Sequence, residues 1–228
     1  NRLAKQIDDI LILLDRFNIK STFFVLAKTA KDNPDLIKKI HTCDHEIASH
    51  GFNHKLLNQL NDLEIENDIR KSKEILEEII NSSIIGYRAP CFSFTDNLPS
   101  ILNRLNFKYD SSLNFSSFNS RYGRSKKLNF LQYSNKPFLF ESNNIIEFPL
   151  SNLRITNSIF LPISGGGMGR LIPRHIWINL CKQYLKENDN LIFYTHPWEI
   201  DSNLPYRFSS IKKTFATYYN VSKYLKKI

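Results

Sequence analysis

The stretch "HEIASHGFNH" (residues 45–54) puts three of the chain's six histidines into ten positions, and its reading decides the fold. "EIAS" (46–49) reads as a short strand with His50 at its C-terminal end. His50 and His54 are four residues apart, a spacing that brings both imidazoles onto one face of a helical turn. A borderline-soft divalent cation such as zinc accepts two imidazole nitrogens from one turn readily. Taken alone, such a pair is more often two surface or core histidines than a ligand pair, so its weight comes from the surrounding chain.

Upstream, Leu3, Ile7, Ile10, Leu11, Leu14 and Phe17 form one stripe, which predicts an amphipathic helix over 2–17. "STFFVL" (21–26) predicts a short buried strand. Asn33 followed by Pro34 marks a helix start, with the helix running to about His41. Downstream, Asn61 or Asp62 caps a long helix to about Ile80, with Ile65, Ile69, Ser72 and Leu76 inward. "IIGYRAP" (84–90) and "FKYDSS" (107–112) read as strands, with a helix near 97–105 capped by Thr95 between them. Residues 113–145 are Ser- and Asn-rich and give no assignment. "IIEFPL" (145–150), "IFLPI" (159–163) and "LIFYTH" (191–196) read as strands. Helices are predicted from Pro173 to about Lys186 and over 209–227. This alternation predicts an α/β fold with a parallel sheet, whose chemistry gathers at the C-terminal strand ends. His50, Arg88, Asp110 and His196 all fall at such ends and are expected on one rim.

With 228 residues, 42% hydrophobic and 23% charged, the composition is that of a globular chain. No break in composition argues for a second domain, so 1–228 reads as one. No run approaches the ~18 apolar residues of a membrane span. The formal charge of +9 suits an acidic partner, but the basic residues are scattered, with "YGRSKK" (122–127) the one cluster. No nucleic-acid motif accompanies it. Three cysteines, Cys43, Cys91 and Cys181, cannot all pair within the chain and form no Cys-x-x-Cys, which fits a reducing compartment. The chain starts at Asn1 without an initiator Met, so the N-terminus reads as cut. Localisation is left between cytoplasm and bacterial cell envelope, and oligomeric state is unread.

Five ordered pieces, "TFFVL" (22–26), "HEIASHGFNH" (45–54), "GYRAPCFS" (86–93), "YDSS" (109–112) and "FYTHPWEID" (193–201), resemble the polysaccharide deacetylases, carbohydrate esterase family 4. With "EFPLS" (147–151) and "GGG" (165–167), the chain looks similar to the branch associated with bacterial exopolysaccharide synthesis. The resemblance implies a distorted (β/α) barrel that removes acetyl groups from N-acetylated sugars. It implies one divalent ion, zinc or else cobalt or nickel, held by His50, His54 and an Asp from an earlier strand. Arg88 would orient the catalytic base, His196 would be the general acid, and the Cys91 backbone N–H would help hold the oxyanion. Phe92 and Trp198 would contact the sugar.

The chemistry is consistent with those roles. A divalent ion polarises an amide carbonyl and lowers the pKa of its water to about 7. A fixed backbone N–H suits a tetrahedral oxyanion. Histidine can protonate the departing amine, and Arg88 can hold a carboxylate but cannot be a base. Asp110 reads equally as an orienting group or as the cap of the "DSS" turn. Cys91 reads as a small buried thiol rather than a nucleophile. His45 reads as structural.

One departure stands out. The family's first motif, an acidic pair on the first barrel strand, is missing, because Asp8 and Asp9 lie in a helical pattern before "TFFVL". The first strand is therefore expected upstream of Asn1, together with the base and third ligand. Two alternatives stay open: a glycan-binding barrel without chemistry, and a hydrolase of another C–N bond. "GGGMGR" (165–170) either brings backbone close to a sugar or makes a tight turn.

Overall fold

The structure is a computed structural model that describes residues 1–116, 123, 136–156 and 159–228, without the side chains of residues 212 and 213. The basic cluster at 122–127 lies, apart from Gly123, outside the described residues. The chain divides into two compact units, residues 18–150 and residues 1–17 with 151–228. The boundary falls within "EFPLSNL", where composition does not change.

Helix α1 (Arg2–Arg16) opens the chain, with Asn1 Oδ1 accepting from the Leu3 N–H at 3.1 Å. Its buried face carries Gln6, Ile7 and Leu11. Phe17, expected on that stripe, is 59% exposed because the helix ends at Arg16 and Phe17 leaves the helical path.

The 18–150 unit alternates strand and helix: β1 (Thr22–Val25), α2 (Ala27–Asp32), α3 (Pro34–Thr42), β2 (Glu46–Ser49), α4 (Asp62–Ile80), β3 (Gly86–Tyr87), α5 (Leu98–Arg104), β4 (Tyr109–Asp110), β5 (Phe138–Phe140) and β6 (Ile145–Glu147). The sheet order is β1-β2-β3-β4-β6-β5, parallel except where β5 runs antiparallel to β6. The register pairs Ser49 with Tyr87, Tyr87 with Asp110, and Asp110 with Glu147. Thus the residues at four neighbouring strand ends are aligned by backbone pairing alone.

α4 is closed by a capping box, Asn61 Oδ1 accepting from Glu64 N and Glu64 Oε2 from Asn61 N, which contributes about 1 kcal/mol. Ile65, Ile69, Ser72 and Leu76 are buried as the periodicity predicts. Three expectations are corrected. β1 is half exposed rather than buried, because it lies at an end of this sheet. The 97–105 helix starts at Leu98 with Asn97 as its cap, while Thr95 contributes only its carbonyl, to Leu98 N. β5 forms within the stretch that gave no assignment, its Phe138 and Phe140 rings edge to face with centroids 5.0 Å apart.

In the other unit, β7 (Asn152–Arg154) pairs antiparallel with β8 (Phe160–Pro162), followed by α6 (Gly166–Leu171), α7 (Arg174–Leu185), α8 (Ile211–Tyr218) and α9 (Val221–Tyr224). Leu153, Ile163 and Tyr184 form its buried cluster, with Leu161, Leu180 and Leu191 packed around them. "LIFYTH" is not a full strand; it makes a single parallel bridge, Tyr194 with Gly165. The helix expected over 209–227 is broken at Asn220, which takes the left-handed conformation (φ 56°). Among the described residues, no helix is long and apolar enough to cross a membrane.

Candidate functional site

His50 continues β2, its N–H donating to Val25 O at 2.9 Å. The chain then turns at Gly51 (φ +76°), a conformation that favours glycine. Gly51 N donates to Ser49 Oγ, Ser72 Oγ to Gly51 O, and Phe52 N to the Asp68 carboxylate. These bonds tie the loop to α4. The histidine pair is therefore carried by a strand end and a loop, which corrects the expected helical turn; His54 has φ 56°. The loop still brings the two rings to 5.3 Å, at 66°.

His50 Nδ1 lies 2.7 Å from the backbone oxygen of Arg88. A carbonyl only accepts, so Nδ1 carries a proton, and in the neutral ring the lone pair is on Nε2. This is the tautomer a metal-ligating histidine needs, fixed in the way such ligands are usually oriented.

Arg88 follows β3 and is buried. Its Nε donates to Ser111 O at 2.9 Å and one terminal nitrogen to Ser111 Oγ at 2.6 Å, with the guanidinium 4.1 Å above the Phe24 ring. Cys91 and Phe92 are both left-handed (φ 52° and 55°), costing roughly 1–3 kcal/mol each. The surrounding bonds enforce this shape: Phe92 N to Ala89 O, Ser93 Oγ to Pro90 O, Leu57 N to Ser93 Oγ, and Ala89 N to Ser112 Oγ. The Phe92 ring is buried, 5.6 Å from the Arg88 guanidinium.

Asp110 is fully buried, so it is placed to organise rather than to touch a ligand. Its Oδ1 accepts from Ser111 N at 2.8 Å and Ser112 Oγ at 2.5 Å. Ser112 then holds Ala89, and Ser111 holds Arg88. Glu147, its register partner on β6, is equally buried and accepts from Leu113 N at 2.9 Å. Burial pushes the Asp110 carboxyl up to about 7, and burial with the Asp110 charge pushes Glu147 well above the carboxylate range. The second oxygens, Asp110 Oδ2 and Glu147 Oε2, are buried without a donor, and one proton shared between the two carboxyls would satisfy both. Sequence reading missed Glu147; its signal was a lone acid inside the apolar run "IIEFPL".

In the other unit, His196 precedes a 3-10 turn (Pro197–Ile200) and its backbone N–H and Nδ1 both point to Glu199 Oε2, at 2.8 and 3.0 Å. Glu199 Oε1 accepts from buried Arg170 Nε at 3.0 Å. Burial would raise the Glu199 carboxyl, but the bonds and charge of His196, followed by Arg170, outweigh it and hold it low. The Trp198 ring stacks on His196 (5.8 Å, 27°), with Arg170 5.0 Å from its centre. Glu199 and Arg170 were also missed. The cue was an acid three residues after His196, the spacing of a capping box.

Two imidazoles, one with its tautomer fixed, suit a divalent ion that accepts nitrogen, so the donor set fits as part of a site. Among the described residues, no group of three or more His, Cys, Asp or Glu side chains is placed to hold a metal.

Residues 4–109 match the family described as polysaccharide deacetylase, and residues 111–228 match a domain of unknown function, DUF3473. The chain belongs to the DUF3473 family by its second half, and its first half is similar to the polysaccharide deacetylases. A peptidoglycan deacetylase of Helicobacter pylori is 26% identical over 115 residues, 50% of this chain and 39% of that protein. A peptidoglycan-N-acetylglucosamine deacetylase of Bacillus cereus is 33% identical over 88 residues, 39% of this chain and 32% of that protein. The matched stretch is thus about a third of the length of each relative.

Among solved structures, a polysaccharide deacetylase from Mycobacterium smegmatis superposes with a TM-score of 0.60 at 25% identity, over 84% of this chain and 63% of that one. PuuE allantoinase superposes at 0.58 and 17% identity, over 80% of this chain and 53% of that one, a likeness of fold alone. The fold class expected from the sequence, α/β of the deacetylase (β/α)-barrel type, is the one found.

Proposed function

We propose that the protein is a metal-dependent hydrolase that removes N-acetyl groups from N-acetylhexosamine units of a bacterial polysaccharide or its precursor. The observation that carries this reading is the His50–Arg88 bond, which leaves His50 Nε2 with its lone pair in a ring 5.3 Å from His54. His50 and His54 hold the ion: zinc, or else cobalt or nickel. When bound, that ion polarises the amide carbonyl and lowers the pKa of its water.

Arg88 positions rather than reacts. Its backbone oxygen orients His50, while its guanidinium stays on Ser111 and Phe24. Asp110 acts from behind, through Ser111 and Ser112. The Cys91 N–H, carried on a strained left-handed turn, is the oxyanion donor. His196 has the role of general acid, with Nδ1 on Glu199 and the Trp198 ring stacked on its own.

The peptidoglycan deacetylases among the relatives support an N-acetylglucosamine-containing glycan as the substrate class. The "EFPLS" and "GGG" pieces favour an exopolysaccharide within that class. The test is acetate release from N-acetylglucosamine oligomers and polymers, before and after chelation, with zinc or cobalt restored. Release that stops with chelator and returns with metal is expected. Release indifferent to chelation overturns the metal role. Sugar binding without any release, even in the full-length protein, makes it a glycan-binding barrel.

A further inference from the structure

The run "GGGMGR" (165–170) and the residue Glu199 have no chemical task in the reading above, yet they meet at one place. Gly165 (φ +112°) and Gly166 (φ +57°) pack against Tyr194, and an added Cβ would lie 2.2 Å from Tyr194 O at Gly165 and 2.7 Å from Tyr194 Oη at Gly166. Gly166 N donates to Tyr194 O, and α6 begins there. Gly169 faces Tyr224, whose hydroxyl would be 2.7 Å from a Cβ. The three close approaches let α6 settle against the strand segment that leads into His196. One turn along the helix, Arg170 is then aimed at Glu199.

Arg170 cannot swing away. Its Nε is taken by Glu199, one terminal nitrogen by Thr217 O and Tyr219 O, and the other by Ala216 O. The side chain is 3% exposed and that of Glu199 is 1%, whereas the side chain of His196 is 53% exposed. A buried carboxylate pinned on one oxygen by a fixed cation has its other oxygen set for His196. That oxygen takes the His196 backbone N–H and its Nδ1.

We propose that Glu199, locked by Arg170, is the positioning carboxylate for His196: it holds the Nδ1–H tautomer and leaves Nε2 outward to carry the transferred proton. This assigns a task to the half of the chain matched as a domain of unknown function. It rests on the reading of His196 as the general acid. The step itself is a proton transfer: His196 Nε2–H gives its proton to the leaving amine nitrogen as the C–N bond breaks. The imidazole is left neutral with its proton on Nδ1, against Glu199.

The substitution Glu199→Gln separates this role from simple packing. Arg170 is fixed as a donor, so the Gln oxygen must face it and the amide NH2 must face His196. That donor opposes Nδ1–H and favours the other tautomer, the kind of change that disables a triad histidine whose carboxylate becomes an amide. The experiment is long-range 1H–15N NMR on histidine-labelled whole chain, with steady-state kinetics on an N-acetylglucosamine oligomer.

In the unsubstituted protein the neutral His196 ring is expected protonated on Nδ1. A ring protonated on Nε2 overturns the proposal, and this measurement needs no variant to fold. In Glu199→Gln the proton is expected to move to Nε2, with kcat down roughly 10²–10⁴-fold and KM within about threefold. An unchanged kcat overturns the positioning role. If the unsubstituted protein releases no acetate, the functional reading falls, while the tautomer result still decides whether Glu199 positions His196.

Discussion

Asp110 and Glu147 are register partners on adjacent parallel strands, both fully buried, and each has one buried oxygen without a donor. Burial raises both carboxyls, Asp110 to about 7. The native pair therefore keeps a proton that the unfolded chain has already released above the ordinary carboxylate range. Stability from the pair is complete below about pH 4 and is lost as pH rises through 7, at up to about 1.4 kcal/mol per pH unit per proton. Urea unfolding at pH 5 and pH 8 measures this. Glu147→Gln, which keeps a donor toward Asp110 without the titration, is expected to flatten the slope. An unaltered slope removes the shared proton.

His50 and His54 form a pair that should be separable from the fold. His54→Ala removes one imidazole and a non-glycine left-handed side chain from an exposed loop. The far-ultraviolet circular dichroism should be unchanged while zinc or cobalt affinity, measured by equilibrium dialysis, falls by about 10²-fold or more. Equal affinity in His54→Ala would exclude it as a ligand.

Arg88→Lys tests geometry rather than charge. Lysine can reach one Ser111 acceptor but cannot offer two donors in a plane while lying flat on Phe24. A loss of about 1–3 kcal/mol in unfolding free energy is expected, with a fall in kcat as the 88–93 turn loosens. A lysine variant with full stability and rate makes the Ser111 clamp irrelevant.

Gly165→Ala puts a Cβ against the backbone oxygen of Tyr194 at a φ of +112°. Neither partner can yield cheaply, so destabilisation of about 1–3 kcal/mol is expected. Gly167→Ala has open space, with only Arg170 at 3.9 Å, and should be near neutral in the same thermal melt. Equal melting of the two variants would mean that α6 does not depend on this close approach.

Local pattern determined much of this protein. The periodicity of α4, its Asn61–Glu64 cap, the strand "EIAS" and the placement of His50, Arg88 and Asp110 at strand ends could all be read from sequence. Each depends on neighbours within a few positions, where side-chain period and capping act directly. The partners of those residues were decided only in three dimensions. Glu147 meets Asp110 through strand register 37 positions along, and Arg170 meets Glu199 across 29. No local rule sets which buried acid finds which donor. That choice follows from the cost of leaving a charge unpaired away from water, which is settled by whichever elements pack together. The histidine pair, too, is held by tertiary contacts rather than by the helical turn that its spacing suggested. The backbone oxygen of Arg88, on the next strand but far along the chain, fixes the ring that a helix was expected to hold.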